Sequence, residues 1–514
     1  MVDTVTRPID NKRVPVDECI ARIPDGATVA TSGFVGAAVP EKLLVALQER
    51  YLESGHPRDL TLMYAAGQGD GAERGLNHLA HVGLLKRVIG GHWGLAPKLG
   101  QLAREGAIEA YNLPQGVICQ LYRDIAAHRP GCITHVGLDT FIDPSQQSGR
   151  LNATSPDDLV QRVELGGAPY LWYKAIPIQV GLVRASSADV FGNLSMGEEV
   201  IVGEVLPIAQ AARNGGGFVI AQVKRILDHP LPPHQVHLPG ALVDWVVVAE
   251  DDQHPQTFGS VTPDYCSAQE GAVLTASQQL PPGARRIIAA RACDELPVGA
   301  LCNLGIGMPE GIAQIAAERG MLDRITLTVE SGPIGGVPAG GLAFGASAFP
   351  QAIIDQPAMF DFYDGGGLDF AALGAAQVDG QGNVNVSKFG PRLAGVGGFV
   401  NITQNAKRVV FCGTLTAGGL QVAFDGAELQ ILKEGRERKF LERVEQVSFS
   451  SLQARRRGQE ILYITERAVF RLGDEGLQLI EVAPGIDVQR DVLDQMDCQV
   501  VVQAPQRMPA HVFE

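Results

Sequence analysis

One short pattern is written twice along this chain, and it constrains the fold more than any other feature. Near the start, Gly26-Ala-Thr-Val-Ala leads through a glycine turn to Pro40-Glu41, which opens the helical stretch KLLVALQER. Downstream, Gly299-Ala-Leu-Cys-Asn303 leads through LGIGM to Pro309-Glu310 and GIAQIAAERG. Each copy reads as strand, glycine loop and helix, with proline at the helix start, where its missing N–H costs nothing. A short strand follows in both, LTLMYAAG from Leu60 to Gly67 and ITLTVESG from Ile325 to Gly332. Further on, DVFGNLSM (Asp189 to Met196) is echoed by DGQGNVNV (Asp379 to Val386). Alternating β and α patterns of this kind predict an α/β protein of two related lobes, each a largely parallel sheet flanked by helices.

The join is expected in Asp251 to Arg286, rich in Gln, Pro and Gly, which gives lobes of residues 1–280 and 281–514. The last stretch, with LKEGRERKFLERV and GQEILYITERAVF, carries charged helical and short β patterns and is expected to complete the second lobe.

Aligning the two short strands sets Ala65 opposite Glu330. One lobe keeps a carboxylate and the other lacks it, which predicts a single site between the lobes, where ligand clefts commonly form. Glu330 follows the β-type run Ile325 to Val329 and precedes Gly332, Gly335 and Gly336, whose lack of Cβ lets backbone and ligand approach closely. Carboxylates at such boundaries are more often simply solvated, so the rest of the chain has to decide the matter.

A net charge of −15 argues against nucleic acid and anionic membrane as partners. It does not forbid an anionic ligand, because glycine-loop N–H groups and a few cations dominate nearby. The 8 cysteines form no CxxC and no regular framework, as expected of reduced thiols in a cytosolic protein. No apolar run reaches membrane-span length and the N-terminal MVDTVTRPIDNKR lacks an apolar signal core, so a cytoplasmic protein is expected. His78 with His81 and His234 with His237 have ligand-like spacing but no third ligand, and no metal is predicted. GIGMP lacks the Rossmann spacing, and neither a P-loop nor a G-x-S-x-G elbow is present.

The chain resembles the family I CoA-transferases with an α-like and a β-like half fused. GFVGAAVPE (Gly33 to Glu41) is similar to the α-half glycine turn, and NLGIGMPE (Asn303 to Glu310) to the β-half CoA loop. TVESGPIGG (Thr328 to Gly336) resembles the active-site glutamate motif, and GVGGFVNI (Gly395 to Ile402) the oxyanion glycine segment. AGQGD, GGHW, YNLPQG, FDFYDGGG and NVNVSKFG look like the propionate/acetate branch. Succinyl-CoA:3-oxoacid enzymes usually carry Ser-Glu-Asn-Gly, whereas here Glu330 is followed by Ser331 and Gly332, which lowers the expectation of a succinate preference.

The resemblance implies transfer of CoA from an acyl-CoA to a free short-chain acid, with CoA as co-substrate and no permanently bound cofactor. A carboxylate nucleophile splits one difficult acyl transfer into easier steps, and Glu330 is the residue assigned to it. Gly398, or its neighbour Gly397, is expected to offer a backbone N–H to the oxyanion, and Gln115 a side-chain amide. Asn303, Gly305 and Gly307 are expected along CoA, with Lys388 and Arg392 as candidate cations for its phosphates. Solvated loop cations are an equal reading of the last two. The resemblance further implies a homo-oligomer, a tetramer in this branch. An acyl-CoA hydrolase on the same scaffold and a non-catalytic acyl-CoA sensor are the alternatives, and retention of Glu330, Gln115 and Gly398 argues against the sensor.

Overall fold

The computed structural model describes residues 9–268, 280–425 and 428–513. Part of the expected join, residues 269–279, lies outside the described residues.

The first lobe is built on strands β1 (Thr28–Thr31), β2 (Leu60–Tyr64), β3 (Leu85–Gly90), β4 (Glu109–Asn112), β5 (Val180–Ala188), β6 (Phe218–Ile226) and β7 (Trp245–Val248). They lie side by side in the order β7-β6-β5-β1-β2-β3-β4, and every pairing along that path is parallel. The second lobe is built on β8 (Leu301–Leu304), β9 (Thr326–Thr328), β10 (Pro333–Ile334), β11 (Ala352–Ile353), β12 (Phe370–Gly374), β13 (Arg408–Cys412), β14 (Glu460–Ile464), β15 (Ala468–Gly473), β16 (Gly476–Val482) and β17 (Val501–Arg507). Their order is β11-β10-β9-β8-β12-β13-β14-β15-β16-β17.

Five consecutive strands therefore match: β7-β6-β5-β1-β2 in one lobe and β14-β13-β12-β8-β9 in the other, all parallel. Strands buried on both faces read as continuous apolar runs, and Val180–Ala188 is buried at every position. Beyond this shared core the lobes diverge. The first continues in parallel into β3 and β4, whereas the second turns antiparallel into β10 and β11.

The match extends to single hydrogen bonds. The Gly26 N–H donates to Arg58 O at 2.8 Å, and the Gly299 N–H to Arg324 O at 2.7 Å. Asp189 Oδ1 accepts from the N–H groups of Phe191 and Asn193, both at 2.9 Å. Asp379 Oδ1 accepts from Gln381 and Asn383 at 3.1 and 3.0 Å. Asn193 and Asn383 close the two turns on the other carboxylate oxygen at 3.0 and 3.1 Å. An aspartate that satisfies successive turn N–H groups is a local device, so its recurrence survives wherever the flanking strands survive.

The helices that matter for the cleft are α1 (Glu41–Ser54), α2 (Gln115–Ala126), α3 (Val205–Asn214), α4 (Glu310–Glu318), α5 (Gln356–Asp364) and α6 (Phe399–Asn405). Helices α1 and α4 follow Pro40 and Pro309, as the sequence pattern predicts. The charged stretch from Leu432 departs from its helical pattern. Glu437–Arg438 pairs with Thr416–Ala417, and Phe440–Leu441 with Val378–Asp379, so strand pairing overrides a helix-favouring composition. A Cβ at Gly435 would stand 2.4 Å from Ala417 O, which is why glycine occupies that close approach.

All eight cysteines are free; Cys266 is exposed and Cys498 half-buried, while the other six are buried. Among the described residues no helix is long and apolar enough to cross a membrane. No cluster of three or more His, Cys, Asp or Glu among them is arranged to hold a metal ion. His78 sits in a short helix and bonds Gln48 and Glu41.

Candidate active site

Strand register fixes the position of the central carboxylate. Asn303, the third residue of β8, lies beside Thr328, the last of β9, and Glu330 follows two residues later. In the first lobe Ala30 lies beside Met63 at the matching step, which makes Ala65 the counterpart of Glu330 and Ala30 that of Asn303. Two polar side chains of one lobe are thus methyl groups in the other.

Glu330 is 8% exposed. Asn303 Nδ2 donates to its Oε2 at 3.2 Å and also approaches Tyr363 Oη at 3.3 Å. Tyr363, on α5, shares a 2.7 Å hydrogen bond with Thr328 Oγ1. Burial holds the Glu330 carboxyl above the usual carboxylate range, while its own backbone N–H and the Asn303 amide oppose that shift. A carboxylate stripped of water but steadied by one amide is a stronger nucleophile than a solvated one.

Facing it, the segment Gly395–Gly398 of the second lobe is stitched onto the first. The Gly397 N–H donates to Gly91 O at 2.7 Å, the Gln115 N–H to Gly397 O at 2.9 Å, and the Val396 N–H to Asn112 Oδ1 at 3.0 Å. Gly397 has φ of 52°, a conformation that a side chain resists. A Cβ there would lie 3.4 Å from Gln115 Oε1, and one at Gly398 would lie 3.5 Å from Glu330 Cγ. Gln115 opens α2, is buried, and its Nε2 has no hydrogen-bond partner. A buried amide donor left open on the wall of the cavity that also holds a carboxylate is a group kept for something else, because burial without a partner is costly. Gly398 precedes α6, whose first-turn N–H groups have no partner within the helix.

These groups line one cavity of about 410 Å³, within the range of small-molecule sites. The first lobe contributes Phe34, Val35, Gly67, His92, Leu95 and Gln115; the second contributes Asn303, Gly305, Ile306, Glu330 and the 373–376 turn. The cavity sits at the carboxyl ends of β8, β9 and β12, where ligands collect in open parallel sheets. Of the predicted site residues, Glu330, Gln115, Gly397, Gly398, Asn303 and Gly305 are brought together on its wall. Gly307 and Lys388 are not on that wall: the Gly307 carbonyl accepts from Arg285, and Lys388 lies in the two-residue strand preceding Arg392. Ile306 and Arg392 line the cavity, with Arg392 over the Phe389 ring.

Sequence reasoning passed over three residues here. His92 lines the cavity with an unpartnered Nδ1, and burial, helped by the charge of Arg392, lowers its pKa to about 4. It is therefore a neutral imidazole at physiological pH. Its signal was the GGHW run, in which Cβ atoms at Gly90 and Gly91 would stand 2.2 Å from Tyr64 Cζ and 2.0 Å from Ala65 O. Phe34 and Phe344, one from each lobe, pair at 5.6 Å across the apolar end of the cavity. Nothing in their local sequence announces that contact, because it is made across the lobes.

Fold and cleft together define a two-lobed α/β protein with one buried carboxylate facing a ligand-sized cavity. The coenzyme A transferase family model matches residues 14–249. Acetate CoA-transferase YdiF of Escherichia coli K12 is 42% identical over 503 residues, covering 97% of this chain and 94% of that protein. Caffeate CoA-transferase of Acetobacterium woodii is 44% identical over 500 residues, covering 96% and 95%. A crystal structure of the acyl-CoA transferase YdiF from E. coli O157:H7, as a thioester complex with CoA, matches with a TM-score of 0.92 at 40% identity over 99% of this chain and 97% of that one. The chain belongs to the coenzyme A transferases, in the family I arrangement with both halves fused.

Proposed function

We propose that this protein moves CoA between short-chain acyl-CoAs, such as acetyl-, propionyl- and butyryl-CoA, and free monocarboxylic acids, through a γ-glutamyl-CoA thioester on Glu330. The observation that carries this reading is the buried Glu330 carboxylate beside an unpartnered Gln115 amide and the Gly397-Gly398 turn. Residues 1–280 act as the α-like half and residues 281–514 as the β-like half with the nucleophile.

The chemistry runs in balanced steps. A Glu330 carboxylate oxygen adds to the thioester carbonyl, and the oxyanion is received by the Gln115 amide and the Gly398 N–H. The C–S bond breaks, CoA leaves as thiolate, and an acyl-glutamyl anhydride remains. The thiolate adds to the glutamyl carbonyl and expels the first acid as its carboxylate. An acceptor carboxylate then repeats the sequence in reverse and regains CoA, restoring Glu330. No ATP or external proton is consumed. Asn303 and the Gly305-Ile306 turn lie along CoA, with Arg392 nearer its phosphates than Lys388.

Phe34, Phe344 and Leu95 give the acyl end an apolar wall, where a second carboxylate would carry a desolvation cost without a paired cation. The similarity to an acetate and a caffeate CoA-transferase supports monocarboxylic acids. The deciding experiment is mass spectrometry of the protein after incubation with acetyl-CoA or propionyl-CoA. A CoA-sized adduct on the peptide carrying Glu330, discharged by propionate or acetate, is expected. Thioester loss to free CoA without acyl-CoA formation from the acid would instead make the protein a hydrolase.

A further inference from the structure

The catalytic cleft has a second copy, and that copy is closed. The Gln356 N–H, opening α5, donates to Gly203 O at 3.0 Å, as the Gln115 N–H, opening α2, donates to Gly397 O at 2.9 Å. Gly203 and Gly397 share the left-handed conformation, with φ of 65° and 52°. Glu204 then precedes α3 where Gly398 precedes α6. Tyr122 Oη on α2 donates to Met63 O at 3.2 Å, while Tyr363 Oη on α5 meets Thr328 at 2.7 Å. Met63 and Thr328 are the register-matched residues of β2 and β9. Glutamine, left-handed glycine, tyrosine and strand end thus recur together, related by exchange of the lobes.

Besides Asn303 against Ala30, two positions set what fills the space. Where the open cleft has Glu330 at the strand end and Gly398 before the helix, the closed copy has Ala65 and Glu204. A Cβ at Gly398 points to within 3.5 Å of Glu330 Cγ, and exchange of the lobes maps that direction onto a Glu204 side chain running toward the strand end of Ala65. Glu204 is 0% exposed and neither of its carboxyl oxygens has a hydrogen-bond partner. Gln356 Oε1 also lacks one, its Nε2 being given to Cys119 Sγ at 3.0 Å.

We propose that the first lobe holds a sealed carboxylic-acid site, the symmetry copy of the catalytic one, and that the chain's own Glu204 carboxyl is its permanent occupant. Asp355 acts on Glu204, and Glu204 in turn acts on Cys119 and Tyr122; none of the three is a cation. The nearby Arg123 is paired with Asp355 and Asp361. An ionised carboxylate there would be unpaired in a dry interior, so the occupant is the neutral acid. The ligand class of the vacated site is correspondingly a small neutral acid or its amide isostere, such as acetic acid or acetamide.

The test is thermal unfolding of Glu204→Gly, which makes the copy match Gly398, and of Glu204→Gln, in full-length protein without CoA. At about pH 5.5, where the wild-type carboxyl is neutral in the fold, the glutamine variant should keep its Tm within about 2 °C of wild type, because the amide is a neutral isostere. The glycine variant should lose Tm, and acetamide or acetate should restore at least about 2 °C more than either adds to wild type, with sodium chloride as the ionic control. Acetate rescue should grow as pH falls from about 7.5 to about 5.5, since the neutral acid binds, while acetamide rescue should not depend on pH. Equal losses in the glutamine and glycine variants would mean that the charged form is required and would overturn the proposal. Absence of excess rescue by both small molecules would do the same. If the glycine variant does not fold, Glu204→Ala takes its place. Subtracting the wild-type response removes binding at the open cleft, so the outcome is independent of whether Glu330 is the nucleophile.

Discussion

The two lobes share a backbone and differ in what they expose. Five parallel strands, an aspartate-closed turn and a glycine-led strand are common to both, down to individual hydrogen bonds. Yet Asn303 and Glu330 of one lobe are Ala30 and Ala65 of the other. A strand end beside a glycine loop is therefore only a mounting. The reactivity proposed for Glu330 needs a carboxylate on that mounting, an amide to steady it and open space in front of it, and of the two strand ends the second lobe's has all three.

The sharpest way to break this contrast is to remove the carboxylate. Glu330→Gln keeps the shape and should lose at least about 10³ in kcat with Tm unchanged. Adding Ala65→Glu to that variant should restore nothing, because a nucleophile works only within its attack distance of about 3–3.5 Å. Activity in the double variant approaching wild type would mean that the lobes are interchangeable. Next in size is Gln115→Ala, which removes the proposed oxyanion donor contributed across the cleft and should lower kcat by about 10²–10³. An unchanged kcat would move the oxyanion site away from the lobe interface.

Asn303→Ala sharpens the comparison differently, by giving the catalytic lobe the alanine of its partner at Ala30. Loss of an amide bonded to a charged group should reduce kcat/KM about tenfold near neutral pH. The Asn303 bond lowers the Glu330 pKa, so its loss raises that pKa further and the acidic limb of the pH–rate profile should move to higher pH. A parallel drop at all pH values would give Asn303 a purely structural part.

The first lobe has a pH signature of its own. Burial pushes the Glu204 carboxyl up to about 8, above its unfolded value. Its contribution to stability is thus fully present below the unfolded pKa of about 4.3 and is lost as pH rises through about 8. Glu204→Gln should flatten the fall in stability between about pH 4.5 and about pH 8.5, by an amount on the order of a few kcal/mol, in urea titrations spanning that range. The smallest effect is expected at the rim: Arg392→Ala should raise KM for acyl-CoA by about tenfold, against under about twofold for Lys388→Ala.

Much of this was legible in the sequence. The repeat predicted both sheets, because buried parallel strands and proline-led helices leave local signatures. The pairing of Ala65 with Glu330 follows from the same alignment. What the sequence could not show was set across distance. His92 lies on the cavity wall through the fold of Gly90–Gly94, Phe34 meets Phe344 from the other lobe, and Gly307 and Lys388 turn away from the wall although they neighbour residues that face it. Glu204 was invisible for a related reason: nothing local to it marks burial, and its segment is tied down by Gln356 from the other lobe, whose N–H donates to Gly203 O. The charged stretch after Leu432 misled because pairing with Thr416 and Val378 partners is non-local.

The stitched segment Gly395–Gly398 also sets an order of events during synthesis. Glu330 leaves the ribosome before Gly398, so for a stretch of translation the chain holds its proposed nucleophile without the turn proposed to receive the oxyanion. Gln115, made far earlier, gains its Gly397 partner only once that turn has been made. Catalytic competence therefore arrives in one step, late in the life of the nascent chain. The same chain severed between its lobes would regain that step only by encounter, so its recovered activity would rise with the square of dilute fragment concentration.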